Sequence, residues 1–212
     1  GNQNTIIGTN AGDALTDADG NVAVGTLALT SDTLGSDSIA IGNNALSSQN
    51  FTTATSSYNV AIGKNAGLDI TTGVANTLIG GLAGDALTDA DSNVAVGQNA
   101  LSTDTLGSNS TAIGQGALAN CNFTTATSTH NTAVGYDAGS ALSTGVQNTL
   151  IGSTAGDAIT TGSYNAALGY GALSADDLGS QSVAIGYHAL VAQNYATATA
   201  SFNTAVGSSA GA

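Results

Sequence analysis

The chain has 212 residues, a net charge of −13 carried by 14 acidic residues against the single cation Lys64, and one cysteine. That balance excludes nucleic acid as a partner, because phosphate binding needs clustered Lys and Arg, and a lone Cys121 excludes an intrachain disulfide framework. No stretch approaches the roughly 20 apolar residues of a spanning helix, so no membrane insertion is expected of this segment.

Along the chain one five-residue phrase recurs: Asn or Ser, two residues, an aliphatic residue, then Gly. It starts at Asn4, Asn21, Ser38, Asn59, Asn76, Asn93, Ser110, Asn131, Asn148, Asn165, Ser182 and Asn203. The starts lie 17, 17, 21 and 17 residues apart, and the same steps recur, giving a 72-residue super-repeat. A fixed short period is the mark of a solenoid. The spacing predicts an all-β chain, a parallel β-solenoid of twelve coils. Residues 1–212 then form one unit of three super-repeats, 4–75, 76–147 and an incomplete 148–212, expected to belong to a longer fibre.

Each phrase reads as a short strand. The fourth position is aliphatic in every copy, from Ile7, Val24 and Ile41 to Ile113 and Val206. The second is mostly Thr or Val and shares its face by alternation. This pattern predicts a core built on the fourth position, with Ile113 buried. The third position is Ala in nine copies and Ile6, Leu78 or Leu150 in the first coil of each super-repeat. The closing Gly predicts a corner that needs positive φ or close coil stacking. Three residues later every coil has Ala, followed by Gly, Leu, Leu, Gly in turn. The first-position Asn residues predict a ladder along the stack, interrupted at Ser38, Ser110 and Ser182.

The third coil of each super-repeat carries four extra residues. Its loop opens on an aromatic residue and is rich in Thr: Phe51, Thr52, Thr53 and Thr55; Phe123, Thr124, Thr125 and Thr127; Tyr195, Thr197 and Thr199. Tyr58, His130 and Phe202 close the three loops. The loops should project from one face at intervals of four coils, roughly 19 Å. Insertions of this kind commonly form the binding face, which makes these residues the candidate ligand-binding set.

Phrases such as Ser182-Val183-Ala184-Ile185-Gly186-Tyr187-His188-Ala189-Leu190 and Asn131-Thr132-Ala133-Val134-Gly135-Tyr136-Asp137-Ala138-Gly139 resemble the head repeats of YadA-like trimeric autotransporter adhesins. Similar phrases occur in phage tail-fibre proteins. The resemblance runs through all twelve coils, although these coils are longer than the family's usual ones. It implies a left-handed parallel β-roll, a homotrimer, and attachment to a host-surface glycan or protein from a bacterial cell surface or a virion. No ligand-binding residue carries over from it.

Two other classes compete with an extracellular adhesin. One is a structural filament whose coils stack end to end; the other is an ice-binding solenoid, against which loops of unequal length count, since they are expected to spoil a flat face. An enzyme is not expected. Cys121 stands where the other super-repeats have Gln49 and Gln193, and no His pairs with it. His130 and His188 lack neighbours at metal-ligand spacing. Asp17 and Asp19, with Asp89 and Asp91, read first as solvated turns and second as a calcium site, since calcium wants six to eight oxygens. No other cofactor is expected. Asn50, Asn109 and Asn122 head glycosylation sequons. Tyr136, Tyr164, Tyr170 and Tyr187 crowd the C-terminal half, three of them directly after a corner Gly. Exposed Tyr there suits either sugar stacking or cover for the corners.

Overall fold

A computed structural model describes residues 1–212. Every phrase forms a three-residue strand, from Thr5–Ile7 and Val22–Val24 to Thr204–Val206. The twelve strands stack in chain order into one parallel sheet, and the chain has no helix. Register is uniform along the stack: Thr5 faces Val22, Ala112 faces Ala133, and Val183 faces Thr204. The expected twelve-coil solenoid is therefore the fold.

Strands this short depend on the corners between them. Three corners in each coil use the left-handed backbone. One is the residue before the phrase, such as Asp37 (φ 61°) or His130 (φ 52°). The second lies two residues after the closing Gly, where Asn10, Asn44 and Asn99 sit at φ 53° to 58°. The third is the Gly-or-Leu position, where Leu29 and Leu46 take φ 51° and 49°. Asn tolerates this region, whereas a Leu there costs about 1–2 kcal/mol and is held by packing. Hydrogen bonding continues around these corners. Of 121 backbone–backbone bonds only 25 lie within the strands, so turns and loops carry most of the coil-to-coil pairing.

The core lies on the opposite face of the strand from the one expected. Third-position residues Ala23, Ala40, Ala61, Ala95 and Ala112 are buried, while fourth-position Ile113 is 38% and Val206 67% exposed. Each coil is too thin for two branched layers. Leu29, Leu46, Leu101 and Leu118 already fill its interior from the third corner, and they share one core cluster with the strand Ala residues. Only a methyl group fits opposite them. Where the corner holds Gly, a Leu on the strand takes the space. Leu78 Cδ1 lies 2.8 Å from where a Gly67 Cβ would stand, and its Cδ2 2.7 Å from where one on Gly84 would stand. The Gly-Leu-Leu-Gly order and the Ile6, Leu78 and Leu150 of the first coils are one volume rule.

The first-position Asn residues from Asn21 to Asn165 are buried. Each bonds mainly to backbone, not to another amide. Asn21 Oδ1 accepts the Ser38 N–H at 2.8 Å, and Asn21 Nδ2 donates to the Gly35 carbonyl at 2.9 Å. Direct amide–amide contact is limited to pairs such as Asn76 with Asn59, at 3.3 Å.

Candidate functional site

The three long loops are rooted in buried polar knots. Asp32, one coil earlier, accepts the Gly35 N–H at 3.0 Å and the Phe51 N–H at 3.1 Å on Oδ1. Its Oδ2 accepts Gln49 Nε2 at 2.6 Å, and the same nitrogen donates to Ser38 Oγ at 2.9 Å. Gln49 Oε1 in turn accepts Asn59 Nδ2 at 2.9 Å. Ser38, which breaks the Asn ladder, bonds Ser57. Asp176, Gln193, Ser182, Ser201 and Asn203 repeat the arrangement. Two short strands add to each root, pairing Gly35–Ser36 with Thr55–Ser56 and their equivalents.

The roots divide the candidate residues. Phe51 and Phe123 are 6% exposed and offer no ring face to a ligand. An added Cβ on Gly35 would stand 2.7 Å from the Phe51 ring, so the aromatic residue seals its own coil. Tyr195 is half-buried. What reaches solvent are the tips, Thr52, Thr53, Thr124, Thr125 and Thr197, with Thr55, Thr127 and Thr199 half-buried. Those last three hydroxyls donate within the loop, to the Thr53, Thr125 and Thr197 carbonyls. Tyr58, His130 and Phe202 are exposed on the left-handed corner before the next phrase. Successive loops lie 72 residues apart in chain and four coils apart in the stack, roughly 19 Å.

The middle knot is defective. Cys121 replaces Gln, so Asp104 keeps the Gly107 and Phe123 N–H groups on Oδ1 but its buried Oδ2 has no partner. Burial, first of all, raises the Asp104 carboxyl above 3.8, against the lowering effect of those N–H groups. Burial and the Asp104 charge push the Cys121 thiol well above 9.0, which keeps it protonated. A buried unpaired acceptor costs about 1–3 kcal/mol. Cys121→Gln with Thr129→Ser, which gives the Asp104 knot the Gln and Ser that the first knot has in Gln49 and Ser57, should therefore stabilise the rod by about that amount. The native state binds the Asp104 proton more tightly than the unfolded chain. That contribution is complete below 3.8 and is lost as pH rises through the higher native value. Burial raises Asp85 and Asp157 in the same direction. The melting temperature should rise as pH falls through the raised native value toward 3.8, and the double variant should show a shallower rise. Thermal melts at a series of pH values read both outcomes.

A second group of side chains lies on a different corner. Tyr136, Tyr170 and Tyr187 follow Gly135, Gly169 and Gly186 and are 53%, 52% and 54% exposed. The Tyr170 and Tyr187 rings stack with centroids 5.6 Å apart and planes 12° apart. His188 joins them, 4.0 Å from the Tyr187 centroid and 5.4 Å from that of Tyr170. Its ring lies over Gly171, where any Cβ would stand 2.6 Å from His188 Cδ2. Asp137 raises the Tyr136 phenol above 10.0, first as hydrogen-bond acceptor and then as charge. Tyr164 is exposed on the corner shared by Tyr58, His130 and Phe202.

The acidic turns bracket adjacent coils. Asp19 accepts the Asn2 N–H, Asp89 accepts the Thr72 hydroxyl at 2.6 Å, and Asp91 accepts the Val74 N–H at 2.8 Å. Asp17 is exposed. No three His, Cys or Asp side chains converge where they could hold a metal ion. Comparison with known proteins adds no identification: no family description, curated protein or solved structure matches the chain.

Proposed function

We propose that the chain is a segment of an extracellular attachment fibre. In this reading it acts as a homotrimer, with the twelve-stranded sheet of each chain turned toward a common axis. The loop tips and aromatic corners face outward, toward a glycan or protein on a host surface. A bacterial cell or a virion would carry the fibre, as the resemblance to trimeric adhesin repeats implies.

One observation carries this reading. The outward face of the sheet presents Val22, Val24, Ile39, Ile41, Val60, Ile62 and their equivalents, half-buried or exposed, along all twelve coils. At ~4.8 Å per strand the strip is roughly 50 Å long and about 10 Å wide. Its fourth-position column is aliphatic in every coil, while Thr holds the second position in six (Thr5, Thr77, Thr111, Thr132, Thr149 and Thr204), and an uncharged, largely apolar strip of this length marks an interaction surface. Uncharged, β-branched and in uniform register, it suits close packing against copies of itself.

Ile113→Asp tests this directly. Ile113 is partly exposed in the single chain, so the coil itself should lose no more than about 1 kcal/mol. In the assembly three carboxylates would meet without a cation. Sedimentation should show trimer for the unmodified chain and monomer for Ile113→Asp, and adherence to host surfaces should fall with the assembly. A stable monomer in the unmodified chain at micromolar concentration would refute the trimer.

Ice binding competes for the same strip. The long loops leave the coil away from this sheet, and the strand register runs past them unbroken, so they do not interrupt the strip. Aliphatic residues outnumber Thr on the strip, which favours protein packing over a water lattice. Thermal hysteresis in the unmodified chain, lost in Ile113→Asp, would reverse that preference.

A further inference from the structure

We infer that the middle knot is a binding site for one buried water molecule, which takes the place of the amide that Cys121 lacks. The site is independent of whether the rod serves attachment. Its walls are closed to solvent: Asp104, Ser110, Cys121, Thr129 and Asn131 are each no more than 1% exposed. Among them Asp104 Oδ2 has no protein partner, whereas Asp32 Oδ2 in the first knot takes the Gln49 amide at 2.6 Å.

The frame of the knot is unchanged by the loss of Gln. Asp104 Oδ1 accepts the Gly107 and Phe123 N–H groups at 3.1 and 3.0 Å, where Asp32 Oδ1 accepts those of Gly35 and Phe51 at 3.0 and 3.1 Å. A Cβ on Gly107 would stand 2.1 Å from Asp104 Oδ2, the same as one on Gly35 from Asp32 Oδ2. Asn131 Nδ2 donates to the Gly145 carbonyl at 2.8 Å, as Asn59 Nδ2 does to that of Gly73 at 2.7 Å. Only the amide is gone. Cys has three fewer side-chain heavy atoms than Gln, and Thr129 returns one as a methyl group where the first knot has Ser57. That difference is on the scale of a single water, whose share of liquid volume is about 30 Å³.

Hydrogen-bond direction selects the occupant. Thr129 Oγ1 donates to the Ser108 carbonyl at 3.0 Å, so Ser110 is the donor in its 2.5 Å contact with Thr129. Ser110 Oγ is left as an acceptor, just as Ser38 Oγ accepts Gln49 Nε2 at 2.9 Å. Asp104 Oδ2 is an acceptor too. Asn131 cannot turn its oxygen inward, because Oδ1 already accepts the Asn148 N–H at 2.9 Å. Its second N–H is therefore the group directed at the site, as that of Asn59 is directed at Gln49 Oε1, 2.9 Å away. The occupant must donate twice and accept once from a single small volume. Water does this and gains about three partners, the usual number for a buried water. An ammonium or metal ion has no lone pair for the Asn131 N–H, and an apolar atom leaves the Asp104 carboxylate unpaired. Unlike the amide, the water has no covalent tether and must be immobilised. The Cys121→Gln, Thr129→Ser rod therefore remains the more stable of the two.

A crystal structure of the unmodified rod tests the site. One density peak should lie about 2.6–3.2 Å from Asp104 Oδ2, Ser110 Oγ and Asn131 Nδ2, with no counterpart beside Gln49 or Gln193. In solution, water relaxation dispersion should count one long-lived water more in the unmodified rod than in Cys121→Gln. Cys121→Leu separates a wet site from a dry one. Leu supplies nearly the bulk of Gln without its amide, so it should expel the water, leave Asp104 Oδ2 unpaired and lower the melting temperature by a few degrees. In a dry site the same Leu would fill empty space and raise it. A knot without the peak, a peak whose anomalous signal is that of a metal ion, a peak that persists in Cys121→Gln, or a Cys121→Leu rod that melts above the unmodified one would each overturn the inference.

Discussion

Leu150→Ala is expected to destabilise the rod by about 3–5 kcal/mol, the upper range for a buried leucine. Leu150 is fully buried on the strand of a first coil. Its Cδ1 stands 2.7 Å from where a Gly139 Cβ would be, and its Cδ2 2.8 Å from where one on Gly156 would be. Both flanking corners are glycine, and the side chains that border the space, with Leu118 Cδ2 3.0 Å and Ile159 Cδ1 2.9 Å from those same Cβ positions, are already packed in the core. The strand cannot sink inward either, because its ladder to Ala133 and Ala167 holds it in register. The cavity should stay open, which is the condition for a large loss. Chemical denaturation of the variant beside Ile113→Asp checks it. The core substitution should act on stability and the face substitution on association. Equal stability losses would mean that the two strand faces had been wrongly assigned.

Gly97→Ala should be at least as damaging. The residue has φ 137°, a region that L side chains rarely enter. A Cβ there would stand 2.5 Å from the Gly114 carbonyl oxygen of the next coil. Backbone cannot step aside as a flexible side chain can, so the coils must separate locally and lose ladder bonds. Strain of about 1–3 kcal/mol adds to that loss. Gly81, one residue past the closing Gly80, is the control: it has no positive φ, and its nearest contact from an added Cβ is 4.0 Å. Gly81→Ala should be close to neutral. Limited proteolysis should cut Gly97→Ala near the opened coils and leave Gly81→Ala intact.

The sequence disclosed the coil count, the corner glycines and the insertions, because each repeats at a fixed interval that only stacking explains. It did not disclose which strand face is inside. Alternation separates two faces but does not rank them when both are apolar, and the larger Ile and Val residues drew the assignment to the wrong side. What decides is volume: Leu29 or Leu101, donated by a corner five residues after the fourth position, leaves room only for Ala. The burial of Phe51 and Phe123 was hidden for a related reason. Phe51 looks like a surface residue until Asp32, nineteen positions earlier, is seen to hold its N–H. The recurrence of Asp32, Asp104 and Asp176 at 72-residue spacing was the available signal. The tyrosine column was legible in outline, since its position after the corner Gly is fixed, but the stacking of Tyr170 on Tyr187 needed coordinates.

The leucine that recurs once in four coils also sets how the rod can change length. Leu78 needs a glycine corner both in its own coil and in the one before it. Removing the 17-residue coil that carries Gly67 would set that leucine against the Leu46 corner. Removing 72 residues would bring matching surfaces together again. An exchange of whole 72-residue super-repeats keeps every such match, so duplication or deletion can lengthen or shorten the rod by four coils, roughly 19 Å, without disturbing its core.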